Sequence, residues 1–504
     1  MDAIQVKNFR CLEDTGLLSL RPLNVIVGAN SSGKSSFLRI FPLFKQGINS
    51  RKRGPILWYG PEVDFGDFKT TVRRGQDLIS IKVIFSENIV PIYLSRNLKM
   101  GRIEVEFDIK NTSKYDYVSR MYVRFAQNQE VEIKFLPAFK KADVYVNNKS
   151  YASDLNIFYI WNDRLGVFPR IAASLSLSGN ERESPVMKII SEMQRLLSQV
   201  SGDKPESDVF DLRFWLSEAV IDIKENITKT FVTKFEVPQN VVEENGELFE
   251  TLNDLMVLSQ IEDIVDYVNF LVMRDFETVN YIKPIRASAE RYYRMQNLSV
   301  NELDSDGRNV PIFLNELLNT KQRVLFNNWT KTAFGFEVKT REKNGQVSVL
   351  IKDKNNVKFD NISDKGFGYS QLLPIIIMLW NWTFRMTETK LKTERLNTKI
   401  IAIEQPELHL HPNMQVMFID ALISAIVEAK KLNLPIRFII ETHSQVMINR
   451  IGLHIAKHNI ESERVSILLF DEMPIRGKNV RVASYNEEGF LKDWPIGFFT
   501  PKEL

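Results

Sequence analysis

The sequence has a single cysteine, Cys11, among 504 residues. An intrachain disulfide is therefore excluded, which fits a reducing compartment. No stretch reaches the ~18 apolar residues that a membrane helix needs. The most apolar run, Leu372 to Trp380, is too short. The N-terminus, Met1 to Arg10, alternates polar and apolar residues. It has neither an apolar core nor a small-residue cleavage site, so a signal peptide is not expected. The expectation is a soluble, cytoplasmic protein with no membrane partner. Net charge is only +3, from 66 basic and 63 acidic residues. The chain as a whole is no polycation, although one basic face is compatible with that balance. Internal repeats and low-complexity tracts are absent, and heptads are not sustained, which excludes a long coiled coil.

What is present is ordinary globular material, 44% hydrophobic and 26% charged. The length suggests about two or three domains. Ile4 to Phe9 and Leu23 to Val27 read as short buried strands, and a helix is expected from about Lys34 to Phe44. Leu78 to Phe85, Ile103 to Ile109, Tyr117 to Phe125 and Val131 to Phe135 read as successive strands of an antiparallel sheet. From about Ser184 to Phe276 the pattern turns helical, with Met187, Ile190, Met193, Leu196 and Leu197 at three- and four-residue spacing. Strands return at Phe336 to Lys339 and Val347 to Ile351. Ile400 to Ile403, Ile436 to Ile440 and Val465 to Leu469 then alternate with helices, which argues a parallel sheet. The fold class expected is α/β. The expected parts are residues 1–75 and 281–504 as two halves of one α/β domain, 76–180 as a β-rich subdomain and 181–280 as a helical insert.

Residues 28 to 35, Gly-Ala-Asn-Ser-Ser-Gly-Lys-Ser, fit the GxxxxGK[ST] phosphate loop. The loop follows an apolar strand and opens a helix. Gly28 and Gly33 permit backbone angles that turn successive N–H groups inward, where they bind phosphate oxygens. Lys34 would neutralise the β- and γ-phosphates of ATP, and Ser35 would offer its hydroxyl to Mg2+. Ala29, Asn30, Ser31, Ser32 and Ser36 complete the cradle. A second feature, Ile400 to Glu407, is an apolar strand ending in acids. In P-loop enzymes the first acid of such a strand, here Glu404, holds Mg2+, usually through water. Gln405 stands where a second acid is expected. An amide orients a water but cannot take its proton. Two outcomes are open: slow hydrolysis, or a base supplied by Glu407 or His443.

These residues resemble the SMC/RecF/ABC-like ATPases, and within them the branch of the overcoming-lysogenization-defect nucleases. The resemblance rests on Ile4 to Arg10, Gly28 to Ser36, Glu404 to Pro412, Glu441-Thr-His-Ser444 and Gly366-Phe-Gly-Tyr-Ser-Gln371. It implies an ABC/SMC-like head with an antiparallel β subdomain and a mainly helical insert. It implies that His443 senses the γ-phosphate and that Gly368, Ser370 and Gln371 form a signature preceding an apolar helix. Ser370 would complete the site of a second copy, so the chain would form a homodimer or higher homo-oligomer around ATP. Arg10 matches a position that contacts nucleotide; Arg286 and Arg291 match a family stretch with no assigned role. After His443 the sequence is too short for the Toprim nuclease of that branch. Glu488 to Phe499 instead resembles the tail of PtuA-type ATPases of Septu and retron systems. That implies a separate HNH-type nuclease partner, and a reverse transcriptase–RNA complex as a further one. The competing reading is a RecF/SMC-like DNA-repair ATPase that clamps duplex DNA. Its sequence support is two basic clusters, Arg51 to Arg53 and Lys390 to Lys399, the second expected as a surface loop.

Overall fold

The computed structural model describes residues 1–48, 50, 52–86, 102–125, 129–151, 155, 157–160, 166–173, 184–201, 239–295, 303–318, 322–354, 356–381, 383, 398–475, 477–492 and 494. The chain divides into two compact units. The first comprises Met1–Ser19, Gln46–Gly60 and Asp64–Arg274. The second comprises Leu20–Lys45, Pro61–Val63 and Asp275–Leu504. This division differs from the expected one at its start. Ala3–Phe9 pairs with Leu78–Phe85, so the first strand joins the large antiparallel sheet rather than the P-loop sheet. The helices at Pro185–Ser201 and Gly246–Ser259 belong to the first unit as well.

In the first unit, Ile103–Asn111, Asp116–Phe125, Gln129–Leu136 and Lys141–Val146 form consecutive antiparallel pairs. Strict alternation puts Ile103, Val105, Phe107 and Ile109 on the buried face. On the opposite face Arg120 bonds Glu106, Asp108 and Glu132 at 2.9, 3.3 and 2.7 Å. The helices anchor to this unit through buried polar groups. Asn269 Oδ1 accepts from the backbone N–H groups of Val167 and Phe168, and its Nδ2 returns a bond to Phe168 O.

The second unit is built on a sheet whose strands are β1 (Leu23–Gly28), β2 (Asn280–Ile282), β3 (Lys399–Glu404), β4 (Ile436–Glu441), β5 (Val465–Ile475), β6 (Lys478–Tyr485) and β7 (Leu491–Lys492). Their order is β2-β3-β4-β1-β5-β6-β7. The first five run parallel, and β6 and β7 are antiparallel additions. Strands β1, β3 and β4 are apolar almost throughout, as strands covered on both faces must be. Around them lie helices α1 (Lys34–Leu38), α2 (Ile40–Ile48), α3 (Phe367–Trp380), α4 (Pro412–Lys431) and α5 (Gln445–Ala456). No described helix is long and apolar enough to cross a membrane. The hairpin of Phe336–Lys343 and Gln346–Asp353 turns at Asn344-Gly345, both with positive φ (53° and 71°), the geometry of a two-residue I′ turn.

The structure removes Lys52 from any basic surface cluster: it is 8% exposed. Burial lowers its ammonium pKa to about 8. Within the expected loop Lys390 to Lys399, Lys399 opens β3, and residues 390–397 lie outside the described residues.

The central parallel strands set the stability of the second unit. Phe438, in the middle of β4, is fully buried between β3 and β1. Phe438→Ala should lower unfolding free energy by roughly 3–5 kcal/mol, the usual range for an emptied aromatic site. Urea melts followed by circular dichroism measure this. A loss below about 1 kcal/mol would contradict the packing described.

Candidate functional site

The topology delivers three chemically distinct chain segments to one end of the parallel sheet. Gly28 ends β1, Glu404 ends β3 and Glu441 ends β4, with Glu404 paired to Glu441 and Glu441 paired to Ile26. The P-loop follows β1 directly. At Gly28 (φ 151°) an added Cβ would lie 2.3 Å from Phe470 O and 2.9 Å from Ser32 Oγ, so glycine is obligatory there. Ser31 and Gly33 also have positive φ, 63° and 98°. The loop is closed on Ala29 O, which accepts from Ser32 Oγ at 2.9 Å and from the Lys34 ammonium. Ala29, Asn30 and Ser31 are exposed, and Ser35 and Ser36 are half-buried in the first turn of α1. Burial lowers the pKa of Lys34, with Glu441 acting in the opposite direction.

The acids differ sharply in their partners. Glu404 is 1% exposed. Its Oε1 accepts from Arg39 Nε at 2.7 Å and from Tyr281 OH at 2.6 Å, and its Oε2 accepts from Arg39 Nη2 at 2.7 Å. Arg39 stands four residues after Ser35, at the break between α1 and α2. The Glu404 hydrogen bonds raise the pKa of Arg39, and burial raises that of Tyr281. Glu441 is equally buried, at 1%. Its Oε1 accepts from Ser35 Oγ at 2.8 Å, and its Oε2 has no hydrogen-bond partner among the described residues. Burial, reinforced by the Glu404 charge, pushes the Glu441 carboxyl up to about 7.

Gln405 sits at φ 42°, and its N–H donates to Glu441 O at 2.9 Å, tying the ends of β3 and β4 together. Glu407 accepts from Thr442 Oγ1 at 2.9 Å and from the His443 backbone N–H at 2.7 Å. Each Glu407 oxygen thus braces the segment that carries His443. Burial raises the Glu407 pKa. His443 is exposed, and desolvation together with the Lys34 charge lowers its pKa, leaving the ring neutral near pH 7. Ser444 caps α5 through Met447 N at 3.1 Å.

The signature segment is placed differently from the expectation. Gly366 is the N-cap of α3, and Phe367 to Gln371 are already helical rather than preceding the helix. Ser370 is 8% exposed and donates to Phe367 O at 2.8 Å. Gln371 is buried and brackets the backbone of Arg286, accepting from its N–H and donating to its carbonyl, each at 3.2 Å. Gly368 lies against the loop after β3: an added Cβ would be 3.2 Å from His409 O. Arg286 is 1% exposed, donates from Nη2 to Glu404 O at 3.2 Å, and has Nε and Nη1 without partners among the described residues. Desolvation takes its pKa down to about 10. Arg291 pairs with Asp364 on the surface. Arg10 belongs to the first unit, its guanidinium 5.0 Å above the Phe65 ring.

The structure places Lys34, Ser35, Glu404, Gln405, Glu407 and His443, all singled out in the sequence, at one end of the parallel sheet. Sequence reasoning missed Arg39, Tyr281 and the role of Glu441. The i, i+4 spacing from Ser35 and the acid at the end of a strand beside β1 were the available signals. The oxygen donors of Ser35 and Glu441 suit a hard cation such as Mg2+. The cradle and Lys34 suit a triphosphate.

The Arg39–Glu404 pair makes a separable prediction. Arg39→Ala leaves Glu404 buried with Tyr281 as its one side-chain donor among the described residues, and should cost on the order of 2 kcal/mol of stability. Adding Glu404→Gln should recover about half of that or more, a coupling that a double-mutant cycle in urea measures. Simple additivity would show that the pair is not coupled.

Residues 1–448 match the family model described as AAA ATPase domain. Endonuclease GajA of Bacillus cereus is 26% identical over 178 residues, 32% of this chain. The match spans only 24% of that relative's own length. Among solved structures, the SMC head domain from Thermotoga maritima aligns over 96% of this chain and 98% of its own, at 10% identity and a TM-score of 0.34. An SMC head bound to the C-winged helix domain of ScpA aligns over 96% of both chains, at 9% identity and a TM-score of 0.33. The family model takes in the P-loop, the β3 acids and Glu441 to Ser444 within a single match, so the chain belongs to the AAA ATPase domain family.

Proposed function

We propose that this chain is a cytoplasmic, slowly hydrolysing ATP switch that pairs with a second copy around ATP and governs a nuclease carried by a partner in antiphage defence. The observation that carries the reading is the strand-end cluster, where Lys34 and Ser35 face Glu441 and Glu404 beside a closed phosphate loop. Lys34 neutralises phosphate charge when ATP binds, and the loop amides orient it. Mg2+, held at Ser35 and a strand-end carboxylate, would draw electron density from the γ-phosphate. Gln405 orients the attacking water without accepting its proton. Glu407 has the raised pKa suited to a proton acceptor, but both its oxygens already brace the His443 segment. Turnover is accordingly slow, and conformation is the product.

The nuclease proposal is supported by the stretch shared with a relative named as an endonuclease, and by the motif resemblance to PtuA-type ATPases. The partner is a separate HNH-type nuclease, with a reverse transcriptase–RNA complex as a further candidate. Direct clamping of duplex DNA is the weaker reading, because Lys52 is withdrawn from one of its two basic clusters.

Lys34→Ala should weaken ATP binding at least about tenfold, through loss of a charge-assisted contact. It should also abolish any ATP-induced mass increase seen by light scattering. Retained affinity would refute the cradle. Gln405→Glu should raise kcat by about tenfold or more if the missing acid limits hydrolysis. An unchanged rate would place the limit in another base or in a conformational step.

A further inference from the structure

The motif assigns the magnesium ion to Glu404, yet both oxygens of Glu404 are engaged by Arg39 and Tyr281. A metal bound directly to Glu404 must displace a bidentate guanidinium, whose charge-assisted bonds are among the stronger ones in proteins. The neighbouring strand offers another acid. Glu441 lies between β3 and the P-loop strand and touches Ser35 Oγ at 2.8 Å through Oε1. Its Oε2 is buried and has no hydrogen-bond partner among the described residues. A buried carboxylate oxygen without a donor is costly, so the position favours a cation. Ser35 is also the residue whose hydroxyl the P-loop motif gives to the metal. Mg2+ in nucleotide sites commonly takes one or two carboxylates, with phosphates and water completing the shell.

We infer that Glu441, together with Ser35, is the side chain that holds the Mg2+ of the bound nucleotide, and that Glu404 is a structural anion neutralised by Arg39. The inference rests on the ATP-binding reading and deepens it. Glu441 then does two things at one strand end. It ties the first turn of α1 to β4 through Ser35, and it presents its second oxygen to the cation that ATP brings. Glu404 fixes Arg39 and Tyr281 and so shapes the floor of the site.

The test is calorimetric titration of the full chain with ATP, once in Mg2+ and once in EDTA, for wild type, Glu441→Gln and Glu404→Gln. Wild type should bind in EDTA and about tenfold or more tighter in Mg2+, a difference of about 1.4 kcal/mol. Glu441→Gln should keep its EDTA affinity and lose the Mg2+ enhancement, whereas Glu404→Gln should keep the enhancement. Should Glu441→Gln fail to fold, Glu441→Asp takes its place, and it should also lose most of the enhancement. The inference is overturned if the Glu441 variant keeps the enhancement, or if the Glu404 variant loses it. Wild type that binds no ATP in either buffer would instead overturn the ATP-binding reading, and this inference with it.

Discussion

Two carboxylates buried side by side at the ends of adjacent strands are the constraint from which the rest of the site follows. Glu404 and Glu441 are each 1% exposed and occupy paired positions on β3 and β4. Like charges so placed repel, and burial penalises each of them. The fold answers with two different devices. Arg39 and Tyr281 surround Glu404 with donors, while Glu441 receives one hydroxyl from Ser35 and keeps one oxygen bare. The asymmetry gives the two acids different chemistry from nearly identical surroundings. One carries its compensating cation within the chain; the other is suited to receive a cation with the ligand.

The sheet order creates that juxtaposition. Because β4 is inserted between β1 and β3, the strand ending in Glu441 is nearer to the P-loop strand than the strand ending in Glu404. Helix α1 starts at Lys34 and ends at Leu38, and Arg39 follows one turn after Ser35. The segment Lys34 to Arg39 thus supplies Lys34, Ser35 and Arg39 to three different partners: Ala29 O, Glu441 and Glu404. Glu407 then links the β3 end to the backbone of His443, so a displacement of the acids would be felt at that segment.

Much of this was legible in the sequence where local pattern dictates the outcome. The P-loop was readable because its glycines are required by close backbone approach, as the 2.3 Å contact at Gly28 shows. The strands from Leu78 to Phe135 were readable because one face alternates into a core. Strands β3 and β4 were readable as short apolar runs flanked by helices. Long-range pairing was not. Nothing local in Ala3–Phe9 shows that it pairs with Leu78–Phe85 rather than with Leu23–Gly28. The Arg39–Glu404 pair spans 365 positions, and Lys52 reads as part of a charged cluster although the fold buries it. Motif logic assigns the metal to Glu404 from its own strand alone, where the arginine that tertiary structure brings to it is not visible.

The measurement that tests the account most directly is a crystal structure with a non-hydrolysable ATP analogue and Mn2+, the metal being located by its anomalous scattering. The account predicts triphosphate in the cradle of residues 28–36, with the ion ~2.1 Å from Ser35 Oγ and Glu441 Oε2, the spacing of octahedral oxygen ligands. Glu404 should still be clasped by Arg39. An ion bound to Glu404 with Arg39 swung away, or nucleotide seated elsewhere, would contradict it.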